Sequence, residues 1–254
     1  MTPQAMTPQA MTPPLAVRGL AKHFGGLAAV QGVDLDLPAG LITALVGPNG
    51  AGKTTLFNLI TGSLAPDAGD VLLDGARLGP TTPRQIARRG VARSFQDLRL
   101  FDHMSAGENV LAAIEPAAWF WQPGDAAARR AAAAAALADT GLTAVAGALA
   151  ADLAYAERKF LSLARILATG ARIWLLDEPA SGLDPASRAR FVALLRAAAA
   201  RGVTVCLIEH NLDIVTELAD RIVFLDQGRK LAEGAPEAIL RDPALAAIYF
   251  GDRA

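Results

Sequence analysis

The stretch that decides the fold of this chain is Gly47-Pro48-Asn49-Gly50-Ala51-Gly52-Lys53-Thr54-Thr55. It satisfies the pattern G-x-x-x-x-G-K-[ST], a loop whose backbone N–H groups surround the phosphates of a nucleotide. The apolar residues Leu41–Val46 before it indicate a buried strand, and the spacing after Lys53 indicates a helix. This context predicts an anion site in which Lys53 reaches the β- and γ-phosphates and the Thr54 hydroxyl ligates Mg²⁺. A glycine-rich turn without a ligand is the alternative, and the rest of the sequence disfavours it.

Size and charge limit the possible classes. A chain of 254 residues can form one large domain, or a core with a subdomain, and bury a substantial core. The formal net charge is −1 and no basic run interleaves with aromatic residues, so nothing points to a nucleic-acid partner. The single cysteine, Cys206, lies in the apolar run Val203–Ile208 and is expected to be a buried core residue. The sequence contains no run of about 18 strongly apolar residues, so it predicts no membrane-spanning helix.

The pattern along the chain predicts an α/β fold. Residues 15–37 alternate in polarity, which indicates antiparallel strands with one solvated face, and 69–75 indicate a further strand. Residues 83–150 have helical periodicity, with a strong helix expected at 126–138. Beyond 151, helices alternate with buried strands, which predicts a parallel sheet covered by helices. These strands are expected at 173–176, 203–208 and 222–225, followed by short helices at 237–250.

Two segments lie outside this pattern. The N-terminal residues repeat Met-Thr-Pro-Gln-Ala and lack the basic and apolar regions of a secretory signal, so 1–14 are expected to form a disordered tail. The cluster Trp119-Phe120-Trp121 is expected to serve packing, with a docking surface as the alternative.

Acidic residues end the strand at 173–176. The run Ile173-Trp174-Leu175-Leu176 delivers Asp177 and Glu178 to the carboxyl edge of the sheet, where the phosphate loop also lies. Asp177 is the expected partner of Mg²⁺, and Glu178 is placed to deprotonate an attacking water. Another buried strand ends in Glu209-His210, and His210 is expected to contact the γ-phosphate.

The order of these motifs resembles the ATP-binding subunit of ABC transporters, over residues 15–252. The resemblance implies a single P-loop NTPase domain with a parallel-sheet core, an N-terminal antiparallel β layer and a helical subdomain at about 83–170. It also implies that Phe24 stacks on adenine and that Gln96 touches Mg²⁺ or water. Ser181-Gly182-Leu183-Asp184 resembles the loop that crosses to a second nucleotide site.

A finer resemblance concerns the transported compound. Three segments, 24–30, 91–101 and 247–251, are similar to the subgroup that powers bacterial uptake of branched-chain amino acids and related compounds. Relatives that energise import of urea or short amides, or export of lipopolysaccharide, share parts of these segments and remain alternatives. The resemblance implies two transmembrane permease subunits, an extracytoplasmic substrate-binding protein acting indirectly, and a position at the cytoplasmic face of the bacterial inner membrane.

The chain departs from the family at its signature motif. The usual Leu-Ser-Gly-Gly-Gln falls on Leu153-Ala154-Tyr155-Ala156-Glu157, so Ala156 stands in place of a glycine. In the family this segment reaches the γ-phosphate held by a second ATPase subunit. Either alanine is tolerated, or the site that uses Ala156 turns over slowly, with added strain if the position needs a positive φ. A homodimer would place Ala156 in both sites, which favours a paralogous second subunit.

Two other classes compete with the transporter interpretation. A soluble ABC-type ATPase acting on ribosomes or DNA usually carries two cassettes or a basic binding element, whereas this sequence has one cassette and no basic patch. A phosphate-loop kinase predicts an acceptor-binding domain, and the sequence shows none.

Overall fold

The computed structural model describes residues 12–114 and 126–250. The strands are β1 (Leu15–Phe24), β2 (Leu27–Leu37), β3 (Ile42–Val46), β4 (Ala68–Leu73), β5 (Ala76–Arg77), β6 (Val91–Arg93), β7 (Ile173–Asp177), β8 (Thr204–Ile208), β9 (Arg221–Asp226) and β10 (Arg229–Gly234). The helices are α1 (Lys53–Ile60), α2 (Pro83–Arg88), α3 (Ala106–Ile114), α4 (Ala126–Asp139), α5 (Tyr155–Ala168), α6 (Pro185–Ala200), α7 (Leu212–Leu218), α8 (Pro236–Leu240) and α9 (Pro243–Phe250). The Trp119–Trp121 cluster lies outside the described residues.

A parallel sheet forms the centre of the molecule. Its strand order is β10-β9-β3-β8-β7-β6, and β9, β3, β8, β7 and β6 run parallel to one another. Every residue of β3, β7 and β8 is buried, because helices and a second sheet cover both faces. The expected strands at 173–176, 203–208 and 222–225 are confirmed within one or two residues at each end. Cys206 is fully buried in β8, as expected.

The second sheet is antiparallel and has the order β2-β1-β4-β5. The antiparallel strands expected from the alternation at 15–37 are therefore confirmed. Its inner face packs with α1 against the parallel sheet in one apolar cluster, which includes Leu20, Phe57 and Leu175. A second cluster on the other face of the parallel sheet joins it to α3–α7, with Phe160 and Phe191 in contact at 5.7 Å between ring centroids.

Three strands were not predicted, namely β5, which pairs with β4, and the strands β6 and β10. β6 lies within the region expected to be helical, and it pairs with β7 at the edge of the parallel sheet. Residues 91–93 thus belong to the sheet, and the helices that pack on one another, α3, α4 and α5, come later in the chain. β10 is an antiparallel strand at the opposite edge, and its half-exposed, charged pattern resembles a loop when read as sequence.

Candidate functional site

A cleft of about 720 Å³ opens at the carboxyl edge of the parallel sheet. Most of the residues expected to bind nucleotide line it, because the segments that follow β3, β6, β7 and β8 all meet at this edge. The lining residues are Phe24, Leu27, Ala28, Ala29, Gln31, Asn49, Gly50, Ala51, Gly52, Lys53, Thr54, Thr55, Gln96, Asp177, Glu178, Ile208, His210 and Gln227. Gly47 and Pro48 belong to the same loop but are not among them.

The phosphate loop depends on glycine at its two ends. Gly47 has φ 146° and Gly52 has φ 97°, conformations that L side chains rarely adopt. A Cβ on Gly47 would also overlap the Leu225 carbonyl oxygen, and one on Gly52 would overlap that of Ala29. The loop delivers the chain into α1, whose N-cap is Gly52 and makes no side-chain capping bond. The first N–H groups of α1 are therefore available to an anion.

Lys53 is buried at the first position of α1. Its Nζ donates to the carbonyl oxygens of Gly47 at 2.7 Å and Pro48 at 2.9 Å. Burial lowers the pKa of this amine, while the carboxylates of Glu178 and Asp177 act in the opposite direction. The ammonium therefore contacts the carbonyls of the phosphate loop within the field of the Asp177 and Glu178 carboxylates.

Asp177 is buried at the end of β7. Desolvation raises the pKa of its carboxyl group, and the nearby Arg93 guanidinium, 4.0 Å away, opposes that shift. The Ser94 hydroxyl accepts a hydrogen bond from the Asp177 N–H at 3.0 Å, which ties β7 to the segment that carries Gln96. A cation beside this carboxyl group would favour its charged form and so offset the desolvation.

Glu178 lies at the centre of a polar cluster. Its Oε1 is 3.0 Å from Nε2 of His210, and its Oε2 accepts a hydrogen bond from the Gln96 amide at 3.3 Å. Its backbone φ is 46°, although a non-glycine residue in this region carries strain of about 1–3 kcal/mol and the next residue is Pro179. The structure thus brings Gln96, Glu178 and His210 together at one edge of the sheet.

The donor set suits Mg²⁺ bound together with phosphates. Thr54, Gln96 and Asp177 all line the cleft and offer hydroxyl, amide and carboxylate oxygens, the ligand type that Mg²⁺ prefers. Within residues 12–114 and 126–250 no group of three or more His, Cys, Asp or Glu side chains is arranged to hold a metal. One carboxylate plus nucleotide phosphates is the usual arrangement for Mg²⁺ in ATPases.

Phe24 lies at the cleft mouth, at the end of β1. Its side chain is 50% exposed, and the Lys22 ammonium is 5.9 Å from its ring centroid. An exposed aromatic face at the mouth of a phosphate-binding cleft is suited to stacking on a base.

The signature positions Leu153–Glu157 lie apart from this cleft, at the start of α5. Ala154 is the N-cap, and its N–H donates to Oε2 of Glu157 at 2.9 Å. Ala156 is in the first turn of the helix. The described non-glycine residues with positive φ are Asp74, Arg99, Glu178 and Gln227. Ala156 is not one of them, so the strain expected for a positive φ does not arise there.

The loop 181–184 contacts the start of α5. The Tyr155 hydroxyl donates to the Ser181 carbonyl at 3.2 Å. Asp184 caps α6, because its Oδ1 accepts from the N–H groups of Ala186 and Ser187, each at 3.0 Å.

Comparison with known proteins decides the family. The model of the ABC transporter family matches residues 30–181, which is more than half of the chain. The chain belongs to the ABC transporter family. It is the ATP-binding, ATP-hydrolysing kind of subunit of such a transporter.

Curated relatives of this ABC subunit include two amino-acid transport proteins. The chain is 41% identical to the high-affinity branched-chain amino acid transport ATP-binding protein BraF of Pseudomonas aeruginosa, over 94% of this chain and 98% of the relative. It is 39% identical to LivG of Escherichia coli, a protein of the same description, with the same coverage.

Solved ATP-binding cassettes share the fold. A nucleotide-free cassette from an ABC transporter aligns with a TM-score of 0.85 at 28% identity, covering 94% of this chain and 99% of that one. The ADP conformation of the cassette MJ1267 aligns with a TM-score of 0.84 at 29% identity, covering 94% and 98%. A bound ADP in such a neighbour agrees with nucleotide binding by this ABC subunit.

Some polar residues near the cleft were not singled out from the sequence. Lys159, Arg93 and Glu209 are buried charges, and Tyr249 donates to the His210 carbonyl at 2.6 Å. Lys159 is the easiest to recognise in retrospect, because it interrupts the apolar face of α5.

In the ranges described, no helix is long and apolar enough to cross a bilayer.

Proposed function

We propose that this chain binds Mg·ATP in the cleft and hydrolyses it through Glu178. The observation that carries the proposal is the convergence of the phosphate loop, Gln96, Glu178 and His210 at one sheet edge, with Glu178 in contact with both His210 and Gln96. The N–H groups of 47–55 and the Lys53 ammonium would hold the phosphates, and Phe24 would stack on adenine.

Residue roles follow from this arrangement. Thr54, Gln96 and Asp177 would hold Mg²⁺, which supplies neutralisation of phosphate charge when bound. The Glu178 carboxylate accepts the proton of the attacking water, because it lies beside the phosphate loop and Gln96 fixes its orientation. His210 lies 3.0 Å from Glu178 and is placed to contact the γ-phosphate and stabilise the developing charge.

Hydrolysis would power uptake of branched-chain amino acids. The support is the name and near-complete coverage of the relatives BraF and LivG. Import of urea or short amides, and lipopolysaccharide export, are the alternatives. A soluble ABC-type ATPase without a transport role is a competing class.

The proposed assembly contains two transmembrane permease subunits, this chain and a second ABC ATPase. A paralogue is favoured over a homodimer, because Ala156 would otherwise stand in both signatures. An extracytoplasmic substrate-binding protein would deliver the amino acid, and this chain would lie at the cytoplasmic face of the inner membrane through its permease partners. Nothing in the charge pattern suggests a nucleic-acid partner.

The first test compares Glu178→Gln with Glu237→Gln, an identical change at an exposed residue of α8. We expect Glu178→Gln to lower ATP turnover by about 10²–10⁴-fold, the usual contribution of a general base, and to keep ATP affinity. Glu237→Gln should leave both unchanged. Equal turnover by the two variants would refute the role of Glu178.

The second test identifies partners and substrate. Tagged Glu178→Gln protein, which should accumulate in the ATP-bound state, is purified from detergent-solubilised native membranes, and co-purifying proteins are identified. Two polytopic subunits and a second ATPase would support the assembly, whereas ribosomes or DNA would favour the soluble class. Uptake of labelled leucine, isoleucine and valine, against urea and short amides, is then measured in cells lacking this chain and in complemented cells.

A further inference from the structure

We infer that Lys159 is a positioning residue for Glu178, and that Lys159 and Tyr155 on α5 together hold the segment Glu178–Gly182. The inference rests on the proposed role of Glu178 as the base. It gives α5, the helix that begins with the signature residues, a structural role toward Glu178 of the same chain.

The 178–182 segment is held from the sheet side by two backbone donors. The Glu178 N–H donates to the Ile208 carbonyl at 2.9 Å, and the Ala180 N–H donates to Oε1 of Glu209 at 3.1 Å. Ile208 is the last residue of β8, and Glu209 follows it. These bonds fix the start of the segment, while the Glu178 carbonyl accepts only a long bond, 3.4 Å, from the Ser181 N–H within the segment itself.

The opposite side of the segment is held by α5. Lys159 Nζ donates to the Glu178 carbonyl at 2.9 Å, and the Tyr155 hydroxyl donates to the Ser181 carbonyl at 3.2 Å. Residues four apart lie on the same face of a helix, so a single face of α5 provides both donors. The Lys159 ammonium also lies 5.8 Å from the Tyr155 ring centroid.

The backbone of Glu178 needs such restraint. Its φ of 46° precedes a proline, a combination that is rarely populated unless surrounding bonds determine it. The Glu178 carbonyl turns with the ψ torsion of this residue, and the Cα–Cβ bond projects from the same backbone frame. A donor bound to that carbonyl therefore restrains the backbone from which the carboxylate reaches His210 and Gln96.

The burial of Lys159 supports its role as a donor to the Glu178 carbonyl. Only 5% of this residue is exposed, and its neighbours on α5, Phe160 and Leu163, are buried apolar side chains. Burying an ammonium costs free energy, and an apolar residue would fill this position at lower cost. Burial lowers the pKa of the Lys159 amine, and the carboxylates of Glu209, Glu178 and Asp177 offset part of this shift.

The test uses the full-length chain with Lys159→Met, Lys159→Arg and Tyr155→Phe, and Lys230→Met as the matched control in β10. Hydrogen exchange of the amides in 178–183 is measured first, because it does not depend on any activity. We expect faster exchange in Lys159→Met, recovery in Lys159→Arg, and in Tyr155→Phe a smaller change confined to 181–183. Tyr155 is half exposed, so its variant tests the contact even if Lys159→Met folds poorly.

Kinetics provide the second readout. Lys159→Met should lower kcat by about 10²-fold, as expected for a misplaced base, with KM for ATP within about twofold of the parent. In a Glu178→Gln background the same change should cost almost nothing further, since the residue that it positions is already lost. Lys159→Arg should restore kcat, and Lys230→Met should match the parent.

Two results would overturn the inference. One is unchanged exchange in 178–183 for both Lys159→Met and Tyr155→Phe. The other is a kcat loss of the same factor with and without Glu178, which would show that Lys159 acts elsewhere. If the parent chain hydrolyses no ATP, the proposed function fails while the exchange experiment still decides whether Lys159 holds the segment.

Discussion

At the scale of single residues, the phosphate loop shows how a neighbouring carbonyl oxygen can leave no space for any side chain, so that only glycine fits. Gly50 and Gly52 both have positive φ, at 80° and 97°, but a Cβ on Gly50 would meet nothing within 4 Å. On Gly52 it would overlap the Ala29 carbonyl oxygen. Replacing each glycine with alanine therefore separates two effects: Gly50→Ala adds only torsional strain, whereas Gly52→Ala adds torsional strain and steric overlap.

We predict that Gly50→Ala lowers the free energy of unfolding by about 1 kcal/mol, the usual cost of placing a side chain in the left-handed region. Gly52→Ala adds an overlap with backbone that cannot move aside easily, and it should cost about 1–3 kcal/mol more. Urea denaturation of both variants measures the difference. Equal losses would mean that the strand bearing Ala29 shifts freely.

Cys206 provides a residue-scale test of core integrity. It is fully buried in β8, and desolvation raises the pKa of its thiol to about 12. Because the thiolate is the reactive form, we predict that native protein at pH 8 resists alkylation and that labelling follows unfolding in urea. The unfolded thiol ionises first, so stability should fall as the pH rises above about 9. Rapid labelling without denaturant would contradict this burial.

At the scale of elements, the C-terminal helix α9 reaches the site through one hydroxyl. Tyr249 donates to the His210 carbonyl at 2.6 Å while its ring packs against Phe224 at 6.3 Å between centroids. Helix α9 therefore restrains the loop that presents His210, although α9 lies outside the cleft. The Tyr249 hydroxyl donates this bond, so Tyr249→Phe removes the donor and keeps the ring.

We predict that Tyr249→Phe lowers kcat by a few-fold and at most about tenfold, in line with a hydrogen bond worth about 0.5–1.5 kcal/mol. Affinity for ATP should change little. Tyr249→Ala, which also removes the ring, should lower thermal stability as well. An unchanged kcat in Tyr249→Phe would show that α9 does not position His210.

The sequence predicted the elements whose signals are local. A motif with its own strand and helix defined the phosphate loop, and runs of apolar residues defined β7 and β8. The edge strands were missed for physical reasons: β5 and β6 have only two and three residues, and β10 alternates exposed and half-buried positions without a buried apolar face. Lys159 was missed because helical periodicity places a residue on a face but does not tell which carbonyl lies opposite.

At the scale of the whole molecule, the signature residues are separated from the cleft of the same chain. Residues 153–157 do not line the cleft that contains Glu178. In the proposed assembly, one chain's phosphate loop therefore works with the other chain's signature. This chain retains Lys53, Asp177, Glu178 and His210, so the site on its own loop is complete if its partner's signature is intact. The opposite site would use Ala156, whose methyl group stands where the family has none.

We predict that the opposite site is slow and that Ala156→Gly accelerates it. In the assembled complex, Glu178→Gln in this chain silences the site on its own loop, so the residual turnover belongs to the other. Removing the Cβ lets the helix N-terminus approach the phosphate more closely, and residual turnover should rise several-fold. Ala244→Gly, at the same position in the first turn of α9, controls for the loss of helix propensity, which costs about 1 kcal/mol in either helix. No gain over Ala244→Gly would mean that alanine is tolerated in the signature and that the two sites are not made unequal by this residue.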